Sequence, residues 1–119
     1  MSIPRIHIIN KPITAVELKE MADETFGYML KGAVDVEQEI MALGGELHMD
    51  IAVELHKQSK SKSNNLWGIN LYPDKTGDDF IEFDSMVNIK PGLGNRTRGI
   101  DSQEIKDKIK KIVNKFINK

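Results

Sequence analysis

Residues Val34 to His56, VDVEQEIMALGGELHMDIAVELH, decide how the chain is read. From Val34 to Ala42, apolar Val34, Val36, Ile40 and Ala42 alternate with acidic Asp35, Glu37 and Glu39. From Glu46 to His56, apolar Leu47, Met49, Ile51, Val53 and Leu55 alternate with polar Glu46, His48, Asp50, Glu54 and His56. Period two is the signature of a strand with one buried face. Gly44 and Gly45 lie between the runs and supply the positive φ that a two-residue hairpin turn requires. If Leu43 pairs with Glu46, then Ala42 faces Leu47, Ile40 faces Met49, Val36 faces Val53 and Val34 faces Leu55, all on one side. The expectation is a hairpin with an acidic outer face.

Working outward, Arg5 to Ile9 is short and β-branched and stops at Asn10-Lys11-Pro12, which reads as a first strand. Thr14-Ala15-Val16-Glu17 fits a capping box, with Ile13 and Leu18 placed for a hydrophobic staple. A helix follows from Ala15 to about Phe26, and Tyr28 to Ala33 is left open as an extension of it. Gln58 to Asn65 is polar and low in complexity, an exposed loop. Leu66 to Tyr72 and Phe80 to Ile89 alternate and form a second pair of strands across a turn-rich link. Pro91, Gly92, Gly94 and Gly99 mark Lys90 to Ile100 as a loop. Asp101 or Ser102 then caps a last helix whose stripe is Ile105, Ile109, Ile112, Val113, Phe116 and Ile117. Its outer face is basic, with six lysines against two acids from Ser102 to Lys119. The resulting fold is one α+β domain over residues 1–119, in the order β-α-β-β-β-β-α. A mainly antiparallel sheet of about five strands carries two helices on one face.

Composition narrows the function classes. With 17 Lys+Arg, 18 Asp+Glu and a net charge of -1, the 119-residue chain has no overall attraction to nucleic acid or to an anionic membrane. Lys57, Lys60, Lys62, Arg96, Arg98 and the lysines of the last helix could attract nucleic acid locally, but they need not share a surface, and Asp35 to Glu54, which contains no Lys or Arg, would repel phosphate, so nucleic acid is not an expected partner. The absence of cysteine removes thiolate metal sites, cysteine nucleophiles and disulfides. The opening residues lack the pattern of a signal peptide, and no apolar run reaches membrane-spanning length. A soluble, cytoplasmic protein without membrane contact is expected. Phosphate-binding glycine loops, a nucleophile elbow and a zinc-binding HExxH are all missing.

Four segments taken together carry a resemblance: Gly45-Glu46-Leu47-His48-Met49-Asp50, Leu66 to Pro73 (LWGINLYP), Ile81 to Ile89 (IEFDSMVNI) and Gly94-Asn95-Arg96-Thr97-Arg98-Gly99. In them the chain resembles a family of small prokaryotic proteins classed as a domain of unknown function, from about Ile13 to Ile117. Its Ser59 to Asn65 loop is richer in lysine than that family's pattern. The resemblance implies no activity and no cofactor.

Two constellations could carry chemistry. Glu46, His48 and Asp50 at alternate strand positions would share one face, but their spacing matches no specific ligand motif, so no metal is expected there. Asn70 and Tyr72 on one strand, with Glu82, Asp84 and Asn88 on the next, share a polar face by alternation. Asn95, Arg96 and Arg98 follow in the loop. Glu82, Asp84, Arg96 and Arg98 are the catalytic candidates, a carboxylate serving as general base and a guanidinium stabilising developing charge. Asn70, Tyr72, Asn88 and Asn95 are the ligand-binding candidates. The competing account is that the arginines pair with Glu82 and Asp84 simply to pin the glycine-rich loop. The leading expectation is a non-enzymatic binding domain that uses an acidic sheet face for a protein partner or a polar small molecule, with a homodimer through the basic last helix as one form. The alternative is a small hydrolase or lyase acting on a polar metabolite or RNA.

Overall fold

Local signals at both ends of the chain produce the elements they announce. The computed structural model describes residues 5–118, except for the side chain of Asn118. It runs β1 (Ile6–Ile9), β2 (Ile13–Thr14), α1 (Ala15–Asp23), β3 (Leu30–Asp35), β4 (Ile40–Gly44), α2 (His48–Ser59), β5 (Leu66–Leu71), β6 (Ile81–Glu82), α3 (Gln103–Phe116) and β7 (Ile117–Asn118). The Thr14–Glu17 capping box is formed, and the Ser102 hydroxyl accepts from Ile105 N at the start of α3.

Five strands make one antiparallel sheet in the order β1-β4-β3-β5-β6, so the chain is α+β. Helices α1 and α3 cover one face, burying Leu18, Ala22, Ile109, Val113 and Phe116 against Leu30, Val34, Met41, Leu43, Ile69 and Leu71. β2 and β7 form a separate parallel ribbon, with Ile13 opposite Ile117.

The central hairpin is not the expected one. Glu46 to His56 is not a strand: α2 occupies His48–Ser59 on the sheet's second face, a third helix in place of a strand. Ile51 and Leu55, one helical turn apart, are its buried residues, and they pack over Ala33, Ala42 and Leu66. Leu47, Met49 and Val53, which had completed the alternation, are exposed. Gly44 and Gly45 do take positive φ, +115° and +74°, but they lead from β4 into the helix instead of closing a two-residue turn. Ile40 therefore pairs with Asp35, not Met49.

The hairpin that forms is β3–β4, and it turns inside the supposed Val34–Ala42 strand. Asp35 makes that turn: its buried carboxylate accepts from Glu37 N, Gln38 N and Gln38 Nε2, while Glu39 takes φ +57°. The acidic residues Asp35, Glu37, Glu39, Glu46, Asp50 and Glu54 are consequently spread over a turn and a helix. They do not form an acidic sheet face.

A row of small residues explains how α2 fits so close to the sheet. Ala42, Ala33 and Gly68 lie side by side across β4, β3 and β5. At Gly68 an added Cβ would come within 2.5 Å of Ser85 Cβ and 2.9 Å of Val87 Cγ2, so the segment after β6 crosses there. That crossing ends the expected Phe80–Ile89 strand after Glu82. The Ser85 hydroxyl accepts from Val87 N and starts a 3₁₀ turn, Met86–Asn88. The polar stretch after α2 is likewise less open than expected, because Ser61 is fully buried.

Candidate functional site

The crossing segment is held by two asparagines. The Asn88 amide behaves as a strand residue would: its Oδ1 accepts from Gly68 N at 2.7 Å, and its Nδ2 donates to Gly68 O and Arg98 O, each at 3.0 Å. It thereby closes the stretch of β5 edge that the short β6 leaves unpaired. Asn95 Nδ2 donates to Asn88 O and Gly99 O, and Asn95 Oδ1 accepts from Asp101 N. Both side chains are buried and committed to backbone groups, which places two of the three expected ligand-binding asparagines in the framework.

The other candidates except Arg96 meet on the part of the sheet's second face that α2 does not cover. Register puts Lys31, Asn70 and Glu82 in one row across β3, β5 and β6. Glu82 Oε1 accepts from Asn70 Nδ2 and from the Tyr72 hydroxyl, both at 2.8 Å. Asn70 Nδ2 also reaches Asp84 O at 3.3 Å. Arg98 Nε donates to Asp84 Oδ1 at 2.6 Å, a half-exposed ion pair, and the Arg98 carbonyl accepts from Ser85 N. Arg98 thus pins the loop through both its side chain and its backbone. Arg96 is exposed and makes no ion pair among the described residues.

His48 joins this patch from the first turn of α2. Its Nε2 lies 2.9 Å from Ile69 O. A carbonyl can only accept, so Nε2 carries the proton and Nδ1 is the acceptor of the neutral ring. Burial pushes its pKa below the ordinary 6.5, and Lys31 pushes the same way. The Ile69 carbonyl, Asn70 and Asp84 oppose them but do not prevail. Asn70 is only 6% exposed, and its buried Oδ1 has no hydrogen-bond partner among the described residues. Tyr72 is pushed up to about 12, first by partial burial and then by its bond to the Glu82 carboxylate.

The chain had pointed to His48 only as one of three metal ligands on a strand. In α2 that arrangement does not exist: His48 turns to the sheet while Glu46 and Asp50 stay exposed. Among the described residues no three His, Asp or Glu side chains are grouped to hold a metal ion. Lys31 was missed altogether, since Tyr28 to Ala33 carried no alternation to mark β3. The other two histidines are occupied locally, His7 with Glu24 Oε1 at 2.7 Å and His56 with Ser61 O at 2.9 Å.

Away from this patch, a cavity of 460 Å³ opens between α2 and the 86–93 loop, lined by Met49, Ala52, Leu66, Met86, Ile89 and Leu93 among others. No helix among the described residues is long and apolar enough to cross a membrane. A family model described as a protein of unknown function matches residues 7–116. Neither the curated proteins nor the solved structures contain a match to the chain.

Proposed function

We propose, for a chain that belongs to the DUF5674 family of proteins of unknown function, a non-enzymatic binding domain that holds a small zwitterionic molecule on the open patch of its sheet. One observation carries this reading: the side chains of His48, Asn70, Tyr72, Glu82 and the Asp84–Arg98 pair come from α2, β5, β6 and a loop, and converge there with Lys31. Both donors to Glu82 use Oε1, which leaves Oε2 for an ammonium group. Lys31 is rooted two strand spacings away, roughly 10 Å across the sheet, and its ammonium, 5.3 Å from the centroid of the Phe26 ring, is the cation that would meet a carboxylate. Neutral His48 adds an acceptor at Nδ1. A molecule of amino-acid or dipeptide size matches that spread of charge. A cytoplasmic setting, where such metabolites are abundant, belongs to the same reading.

A protein-detected NMR titration with a panel of free amino acids and dipeptides tests it, with acetate and methylamine as single-charge controls. Saturable shifts should centre on Lys31, His48, Asn70, Tyr72 and Glu82 and vanish in Glu82→Gln. Shifts elsewhere, or none up to millimolar concentration, would refute the reading. A second reading, a small hydrolase or lyase, is favoured by a neutral imidazole that shares the patch with Glu82 and Asp84, groups able to act as acid and base. The same samples separate the two, because a binding domain returns its ligand unchanged.

A further inference from the structure

Five of the nine large apolar residues exposed among the described residues, Met49, Val53, Met86, Ile89 and Leu93, lie on α2 or around the cavity beside it. Met49 and Val53, one turn apart on the helix, are 60% and 46% exposed; across the cavity Met86 and Leu93 are 65% and 52% exposed, and Ile89 lies between them. Single exposed apolar residues need no explanation, but a contiguous group lining a cavity does. Methionine at such a surface adapts to the shape of a partner.

The charges along α2 state which partner. Asp50 stands in its first turn, just after Glu46, and Lys57 and Lys60 at its C-terminal end, with Val53 midway between Asp50 and Lys57; half-buried Glu54 accepts from Gln58 Nε2 on the flank of the helix. Asp50, Val53 and Lys57 share the outward face, since Ile51 and Leu55 define the inward one. A second α2 laid antiparallel across the first, on a two-fold axis at Val53, sets Asp50 of each copy against Lys57 of the other and Val53 against Val53. A parallel approach would set like charges together. The surface is therefore complementary to itself in one orientation, as an isologous interface requires.

We infer that the chain forms a two-fold homodimer through α2, with α2 antiparallel to its counterpart and the exposed residues around the 460 Å³ cavity covered by the second copy. This assigns the contact to α2 and not to the basic α3, and it does not depend on the ligand reading.

Sedimentation velocity between about 1 and 200 µM tests it, with three exposed-site variants. Because Asp50 and Lys57 stand in the first and last turns of α2, each charge reversal should lower the circular dichroism melt slightly, as an unfavourable helix-end charge does, and leave the chain folded. Asp50→Lys or Lys57→Asp alone turns two opposite-charge contacts into two like-charge ones and should weaken dimerisation by about tenfold or more. The double exchange restores the pairing and should bring the dissociation constant back to within about threefold. Because the chain has no cysteine, Val53→Cys supplies a unique thiol, which should give a disulfide-linked dimer under mild oxidation. A monomer throughout that range would overturn the inference. So would a dimer that ignores both charge reversals, or one that leaves Cys-substituted α2 uncrosslinked.

Discussion

Replacing Asn88 separates a side chain that completes the sheet from one that merely fills space. In Asn88→Ala, Gly68 N–H and Gly68 C=O lose their only described partner on that edge, whereas the Arg98 carbonyl keeps Ser85 N. An orphaned buried polar group costs roughly 1–3 kcal/mol, so two of them give about 2–6 kcal/mol. That is a large share of the roughly 5–15 kcal/mol that holds a domain folded. With a urea dependence of about 1.5 kcal/mol/M, the unfolding midpoint should fall by roughly 1–4 M without a change of slope. Asn88→Asp sharpens the test. Its shape is the same and one oxygen still accepts from Gly68 N, but the other now faces two carbonyls with no proton to offer. At pH 7 it should be at least as damaging as alanine. Burial and those carbonyls raise the carboxyl's folded pKa, so the folded state takes up the proton first and the variant should regain stability relative to Asn88→Ala as pH falls. A midpoint shift below about 0.5 M in Asn88→Ala, or an aspartate variant as stable as wild type at pH 7, would refute the claim that this amide substitutes for a strand.

Three further outcomes follow from the patch. His48 has a folded pKa below 6.5, so on acidification the unfolded chain takes up a proton that the native ring refuses; stability should drop as pH falls below 6.5, and His48→Gln should flatten that part of a denaturation-versus-pH curve. Tyr72, raised to about 12, keeps its proton where an unfolded tyrosine loses it, so stability falls as pH rises above 10, and the late ionisation step in ultraviolet absorbance near pH 12 should vanish in Tyr72→Phe. Arg98→Ala removes a half-exposed ion pair and should cost only about 0–1 kcal/mol in urea unfolding, with the loop kept in place by the Arg98 carbonyl; a loss of several kcal/mol would show that the pair does more than pin.

What could be read from the chain divides along a physical line. Helices α1 and α3 were legible because their signals are local: Thr14 with Glu17, Ser102, and a continuous stripe from Ile105 to Phe116. β5 was legible for the same reason. Helix α2 was not, because Leu47, Met49 and Val53 are apolar yet exposed, and an exposed apolar residue counts in a periodicity as though it were buried. β3 lies between two helical layers, so residues on both its faces are buried and no alternation marks it. The strand expected from Phe80 to Ile89 failed because Asn88 supplies through its side chain the bonds a backbone would have made. Much of the patch survived these errors, since Asn70, Tyr72 and Glu82 depend only on β5 and its pairing with β6. His48 reached it only through the helix that alternation had hidden.

The ribbon between β2 and β7 joins Ile13 to Ile117, almost the whole chain apart. During synthesis the strands of the sheet leave the ribosome well before α3 does, so the face that α3 covers must wait, with Leu30, Met41 and Ile69 open to solvent, until α3 emerges. A nascent or truncated chain lacking that last segment would present this apolar face to chaperones and proteases. Closure of the ribbon thus ties the completion of this core to the arrival of Ile117.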